Sequence, residues 1–195
     1  MTAEVAAAAA PPSQHPVAST SALADPPSSS AMGAPTFESL EATLCAPSPP
    51  TPLDAQFRAL FTVKSLSTAS GSSPDDTLKG IRIIGRALST SDSALLKHEL
   101  AYVLGQMQDV RAIETLTAVL EDTVEHAMVR HEAAEAMGAI ADPSALPILQ
   151  KYRNDDDVSV RETCELAIKK IEYEVKKQSA GGNATASTAE ASEEE

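Results

Sequence analysis

The chain has no tryptophan and only three phenylalanines and three tyrosines, so the aromatic content from which β-sandwiches draw much of their strand packing is missing. Alanine and leucine are plentiful instead, which suits closely packed helices. Cysteine is as scarce. Cys45 precedes a proline-rich break and Cys164 falls on an apolar helix face, so there is no C-x-x-C spacing for metal or redox work. The pair reads as free thiols of a reducing, cytoplasmic or nuclear compartment, with Cys164 buried. No apolar run is long enough to cross a membrane. Ala6 to Ala10 is too weakly apolar and lacks the basic flank of a signal peptide, while Glu4 and the missing arginines argue against a mitochondrial transit sequence.

Basic residues are absent from the first fifty positions, which are rich in Ala, Pro and Ser and end in a run from Pro47 to Pro52. This composition reads as a disordered leader over 1–52, with a first helix starting near 37, a repeat domain over 53–177 and an acidic low-complexity linker or tail over 178–195. The net charge of −13 follows that division. All 15 basic residues and 20 of the 28 acidic ones lie between Leu53 and Lys177, which leaves that segment at −5. Most of the imbalance therefore belongs to the tails. No basic stripe with interleaved aromatics appears, which disfavours nucleic acid as a partner.

What the sequence does contain is a repeat. His98-Glu99 and His131-Glu132 are the same dipeptide 33 residues apart. From them, Ala101, Gly105, Asp109, Ala112 and Leu116 recur as Ala134, Gly138, Asp142, Ala145 and Leu149. A later copy begins near Val160, where Glu162-Thr163 replaces the dipeptide, and an earlier one near Arg58, where Ala59-Leu60 stands in its place. Only the inner two units carry His-Glu.

Each unit reads as two helices. Leu95, Leu96, Tyr102, Val103, Leu104 and Met107 make an apolar stripe at three- and four-residue steps. Ser93 is a cap for that helix; Asp109 and Asp142 cap the helices after it, and Pro143 takes a first helical position, where its missing N–H costs nothing. The pattern predicts pairs at 37–45 with 54–67, 75–88 with 93–108, 110–122 with 126–140, and 142–153 with 157–177. One pair cannot bury its own apolar face, whereas stacked pairs share a continuous core. The expected fold is all-α, a HEAT-like helical-repeat solenoid of about four helix pairs with disordered tails. The ankyrin and tetratricopeptide signatures, which have similar periods, are absent.

Equivalent positions of neighbouring repeats face the same surface, so His98 and His131 can point into one space between helices about 8–10 Å apart. Two imidazoles can then meet at one ion. Adjacent residues on a helix differ by about 100° in direction, so one glutamate can complete the ligand set while the other orients ligands or meets substrate. Two histidines and a carboxylate suit ferrous iron with open positions for oxygen, and zinc or manganese can use the same atoms. A structural reading stands beside this one: a glutamate in an early helical turn is favoured by the macrodipole, and repeats copy residues without chemistry. His15 and His126 fit no constellation and read as tail and loop residues. Asp155, Asp156 and Asp157 lie at a helix start, where capping is their expected role.

The wording of the repeats, SALLKHELAYVLGQMQDVRAIETL followed by MVRHEAAEAMGAIADPSALPIL with FRALFTVKSL upstream, resembles the deoxyhypusine hydroxylase family over about residues 37–177. The resemblance implies a HEAT-like-repeat di-iron monooxygenase. In that family four His-Glu pairs hold two irons that activate oxygen, and the deoxyhypusine side chain of translation initiation factor 5A is hydroxylated to hypusine. Carried onto this sequence, His98, His131 and Glu132 are implied iron ligands; Glu99 is implied as a weaker ligand or a contact for the substrate amine. Only one half of such a protein, the amino-terminal one, is recognisable. The expectation is one iron half-site, no activity from these residues alone, and pairing with a second half or a second copy. Two other readings need no paired His-Glu. One is a non-enzymatic HEAT-repeat scaffold that binds proteins; the other is a HEAT-like lyase of the phycobilisome type.

Overall fold

A computed structural model describes residues 34–45 and 51–189. Most of the expected leader, including His15, and the last acidic residues lie outside that range. Among the described residues there are eight α-helices and no strand: α1 (Phe37–Cys45), α2 (Leu53–Thr68), α3 (Pro74–Thr90), α4 (Ala94–Met107), α5 (Ile113–Glu121), α6 (Ala127–Ile140), α7 (Leu146–Tyr152) and α8 (Val158–Ala189). They form four consecutive pairs. No described helix is long and apolar enough to cross a membrane.

Local chemistry sets the helix starts. Ser73 and Asp76 satisfy each other's backbone N–H groups in a capping box, with Pro74 just inside. Ser93 accepts from the Leu96 amide, as the sequence predicts. Asp109 and Asp142 accept from the amides of Arg111 and Ser144, two residues on. That short reach draws each start into a 3₁₀ turn, Val110–Ala112 and Pro143–Ala145, before α5 and α7 begin. Asp157 caps α8 through the amides of Ser159 and Val160. His126 is a cap rather than a free loop residue: its Nδ1 accepts from the Met128 amide at 3.1 Å. Imidazole is not among the usual capping side chains, so the sequence alone gives no warning of this.

The last helix runs beyond its expected end near 177, to Ala189. The segment from 178 to 189 contains no proline and several alanines, so nothing in it forbids helical backbone.

The second helices of the pairs form an inner layer in which α6 lies between α4 and α8. Leu96, Leu100, Leu104, Leu116, Leu120, Met137 and Leu149 are fully buried between the layers, each contributing about 1.5–3 kcal/mol of transfer free energy. Two recurring glycines set the spacing of the inner layer. A Cβ added to Gly105 would stand 2.8 Å from the Cα of Ala136, and one on Gly138 2.9 Å from the Cβ of Ala167. Glycine recurs there because only a bare backbone fits.

The residue before each histidine ties its repeat to the next. Lys97 pairs with Glu125 at 2.6 Å, and Arg130 pairs with Asp155 at 2.7 Å. Both pairs are largely shielded from solvent, so they resist screening better than the surface pairs of the outer helices.

Candidate metal centre

The close approach of α4 and α6 brings their early turns face to face. His98 projects from α4 and His131 with Glu132 from α6. The two rings lie 5.9 Å apart between centroids and are tilted by 45°. His98 Nε2 is 3.1 Å from Glu132 Oε2. One donor atom from each of His98, His131 and Glu132 lies within 4.8 Å of the others, the one such group among the described residues.

Glu99 is placed differently. It turns away from the shared space, and its Oε1 lies 3.5 Å from Nδ1 of its neighbour His98. That contact does not make a hydrogen bond, and Nδ1 is buried with no partner. The structure thus gathers three of the four residues singled out in the sequence and sets the fourth against the other edge of one ring.

Burial governs the charge of the group. Glu132 is only 5% exposed; the loss of water pushes its carboxyl up to about 7, against a smaller opposing pull from His98. Burial likewise pushes the His131 imidazole below its ordinary value, with His98 adding to the effect. A desolvated carboxylate and a neutral imidazole are both placed to gain from a cation.

The donor set fits a metal on two counts. It offers two imidazoles and a carboxylate, and its separation of 3.1 Å between His98 Nε2 and Glu132 Oε2 is close to the ~3 Å expected of two donors each about 2.1 Å from one ion at right angles. Borderline ions, iron among them, suit such ligands.

A cavity of about 390 Å³ opens beside the carboxylate of Glu132, between Tyr102 and Gln106 of α4 and Glu135 of α6, with Lys64 of α2 at one end. A second, of about 290 Å³, continues it toward Thr163, Leu166 and Lys170 of α8, and the two share Glu135 and Ala139. Sequence reasoning passed over Glu135. Its spacing of three and four from Glu132 and His131 already put it on the same helix face.

Comparison with known proteins places this geometry. A family model described as HEAT repeats matches residues 81–169. The deoxyhypusine hydroxylase of Mycosarcoma maydis is 54% identical over 138 residues, which is 71% of this chain and 37% of that protein. The human deoxyhypusine hydroxylase is 49% identical over 125 residues, or 64% of this chain and 38% of that one. Over these residues the chain is similar to the deoxyhypusine hydroxylases. A solved structure of the human hydroxylase, in complex with glycerol, superposes with a TM-score of 0.61 at 49% identity, covering 70% of this chain and 43% of that one. The hydroxylase fold and the solenoid read from the repeat are therefore the same architecture. The chain spans about two fifths of the length of the curated hydroxylases it matches, 37% and 38% for the two named here.

Proposed function

We propose that these residues form one iron site of a deoxyhypusine monooxygenase, the oxidoreductase that converts the deoxyhypusine side chain of translation initiation factor 5A to hypusine. The observation that carries this reading is the convergence of one donor atom each from His98, His131 and Glu132 on one shared space. His98, His131 and Glu132 would hold the iron. Bound iron supplies the activation of oxygen. The protein's own part is to present two imidazoles and a desolvated carboxylate, to exclude bulk water from them, and to bring the substrate amine alongside. Glu99, outside the triad but next to it, is the carboxylate for that amine or a weaker ligand. An opposing charge is needed there because desolvating an ammonium without one is costly.

The described residues hold one such set of donors. We therefore expect these residues to take up one iron. The compartment we assign is the cytoplasm, an assignment supported by two free thiols.

The test replaces both His98 and His131 with Ala and compares iron content with helical content. The hydroxylase reading requires loss of iron with the helices retained. Iron bound equally well by the double variant would end it, and retained folding with no iron in either protein would favour a protein-binding scaffold.

A further inference from the structure

Glu135 stands one turn beyond Glu132 on the exposed side of α6, and no ion pair of the described residues uses it. The repeat places Tyr102 at the matching position of α4 and Leu166 at that of α8. Both are unusually open for large apolar groups, at 41% and 65% exposure. A carboxylate with no ion-pair partner among the described residues thus sits between two apolar side chains, in the wall shared by two cavities, the first of which also reaches Glu132.

The ends of this trough are cationic. Lys64 closes one end, its ammonium donated to the side-chain oxygen of Gln106, and Lys170 stands at the other. Neither neutralises Glu135. The trough therefore has one acceptor for a positive charge, apolar surface on both sides of it, and cations that discourage a second positive group beyond its ends.

We propose that Glu135 is a substrate-binding residue that accepts an ammonium group of an extended alkylamine side chain, whose methylenes lie along Tyr102 and Leu166. This rests on the metal reading above and deepens it. A deoxyhypusine side chain carries two ammonium groups joined by a butyl segment. Glu99 serves one of them and Glu135 the other, while the chain between them passes the buried triad. An ordinary lysine has only one ammonium and cannot satisfy both carboxylates, so the pair selects the longer amine.

The experiment titrates N-acetyl-deoxyhypusine amide, and separately N-acetyl-lysine amide, into the full chain by calorimetry at low salt, with and without added iron. Iron content is measured independently on each sample. Glu135→Gln is expected to weaken deoxyhypusine binding about tenfold or more, to erase the preference over lysine, and to leave iron content and helicity unchanged. Glu135→Asp should recover most of the affinity. Tyr102→Ala should lower it less and equally at high and low salt, since it removes an apolar wall and not a charge. Deoxyhypusine bound as tightly by Glu135→Gln as by the parent protein would overturn the inference, as would a parent that binds no amine. Absence of iron from the parent counts against the metal reading alone, because the amine titration without iron still decides the role of Glu135.

Discussion

Arg130 and Glu132 stand two residues apart on α6, and each is 5% exposed, yet their surroundings treat them in opposite ways. Arg130 is well partnered. Its guanidinium donates twice to the Leu120 carbonyl at 3.1 Å and to both oxygens of Asp155 at 3.2 and 2.7 Å, and it lies over the Tyr152 ring. That guanidinium holds the Asp155 carboxyl below the usual carboxylate value. Glu132 meets one imidazole, and burial pushes its carboxyl up to about 7. A buried pair with four of its five guanidinium N–H groups engaged fixes one repeat against the next. A buried pair left short of partners is unfavourable until something else arrives. The difference separates the stabilising pair from the pair that we propose holds a metal.

The comparison breaks first at Arg130. Arg130→Ala leaves Asp155 and the Leu120 carbonyl without their partner, and should lower unfolding free energy by about 3–5 kcal/mol. Urea denaturation measures this, and a loss under 1 kcal/mol would deny the pair its structural role.

Next comes Glu132→Gln, which should act in the reverse sense on the metal-free protein. With the folded carboxyl near 7 and its ordinary value at 4.5, the native state binds more protons than the unfolded one between those values. Stability contributed by this group is thus full at low pH and lost as pH rises through that window. The Asp155 pair behaves oppositely. Its contribution is present above its ordinary 3.8 and is lost as acid reaches its lowered folded value. Glu132→Gln should therefore make the chelator-treated protein more stable at pH 8, by an amount on the order of 3 kcal/mol, while abolishing iron uptake. Denaturation at pH 5 and pH 8 checks it; identical pH profiles for variant and parent would contradict it.

Gly105→Ala sharpens the comparison by acting on one pair only. Its Cβ would meet the Ala136 backbone, so α4 must move off α6, at a cost of about 1–3 kcal/mol that outweighs a helix-propensity gain of about 1 kcal/mol. Iron affinity should fall because His98 and Glu132 lie on the two helices being parted. The Arg130–Asp155 pair should keep its acid response.

The smallest effect is expected at Ala141, the C-cap of α6, which has a left-handed φ of 59°. Ala141→Gly relieves that conformation and should stabilise the protein by up to about 1 kcal/mol without changing iron content or either pH response. A destabilisation would show that its methyl group is needed in the packing.

Much of this was legible before any coordinates. The Ser93, Asp109 and Asp142 caps are local chemistry between near neighbours in sequence, and the recurrence of apolar positions fixed four helix pairs. The 3₁₀ turns at Val110 and Pro143 were not legible, since they depend on how far an aspartate reaches along a particular backbone. His126 hid as a cap because imidazole does that work rarely. Cys164 was expected to be buried and is, which pushes its thiol up to about 11. In the sequence Asp155 reads with its neighbours as a capping residue; in the fold its main partner is Arg130, 25 residues away, and no local rule points across that separation.

The amino-acid sequence by itself determined that helices form, where they start, that they repeat, and that two of the repeats carry an imidazole beside a carboxylate. Those are consequences of residue spacing on a helix with a fixed period. Only the tertiary structure decided which carboxylate enters the shared space. Glu99 and Glu132 occupy the same place in their repeats, but α4 and α6 present different sides to each other. Glu132 faces His98 across the close approach of the two helices and is stripped of water, whereas Glu99 stays at the outer edge of the His98 ring.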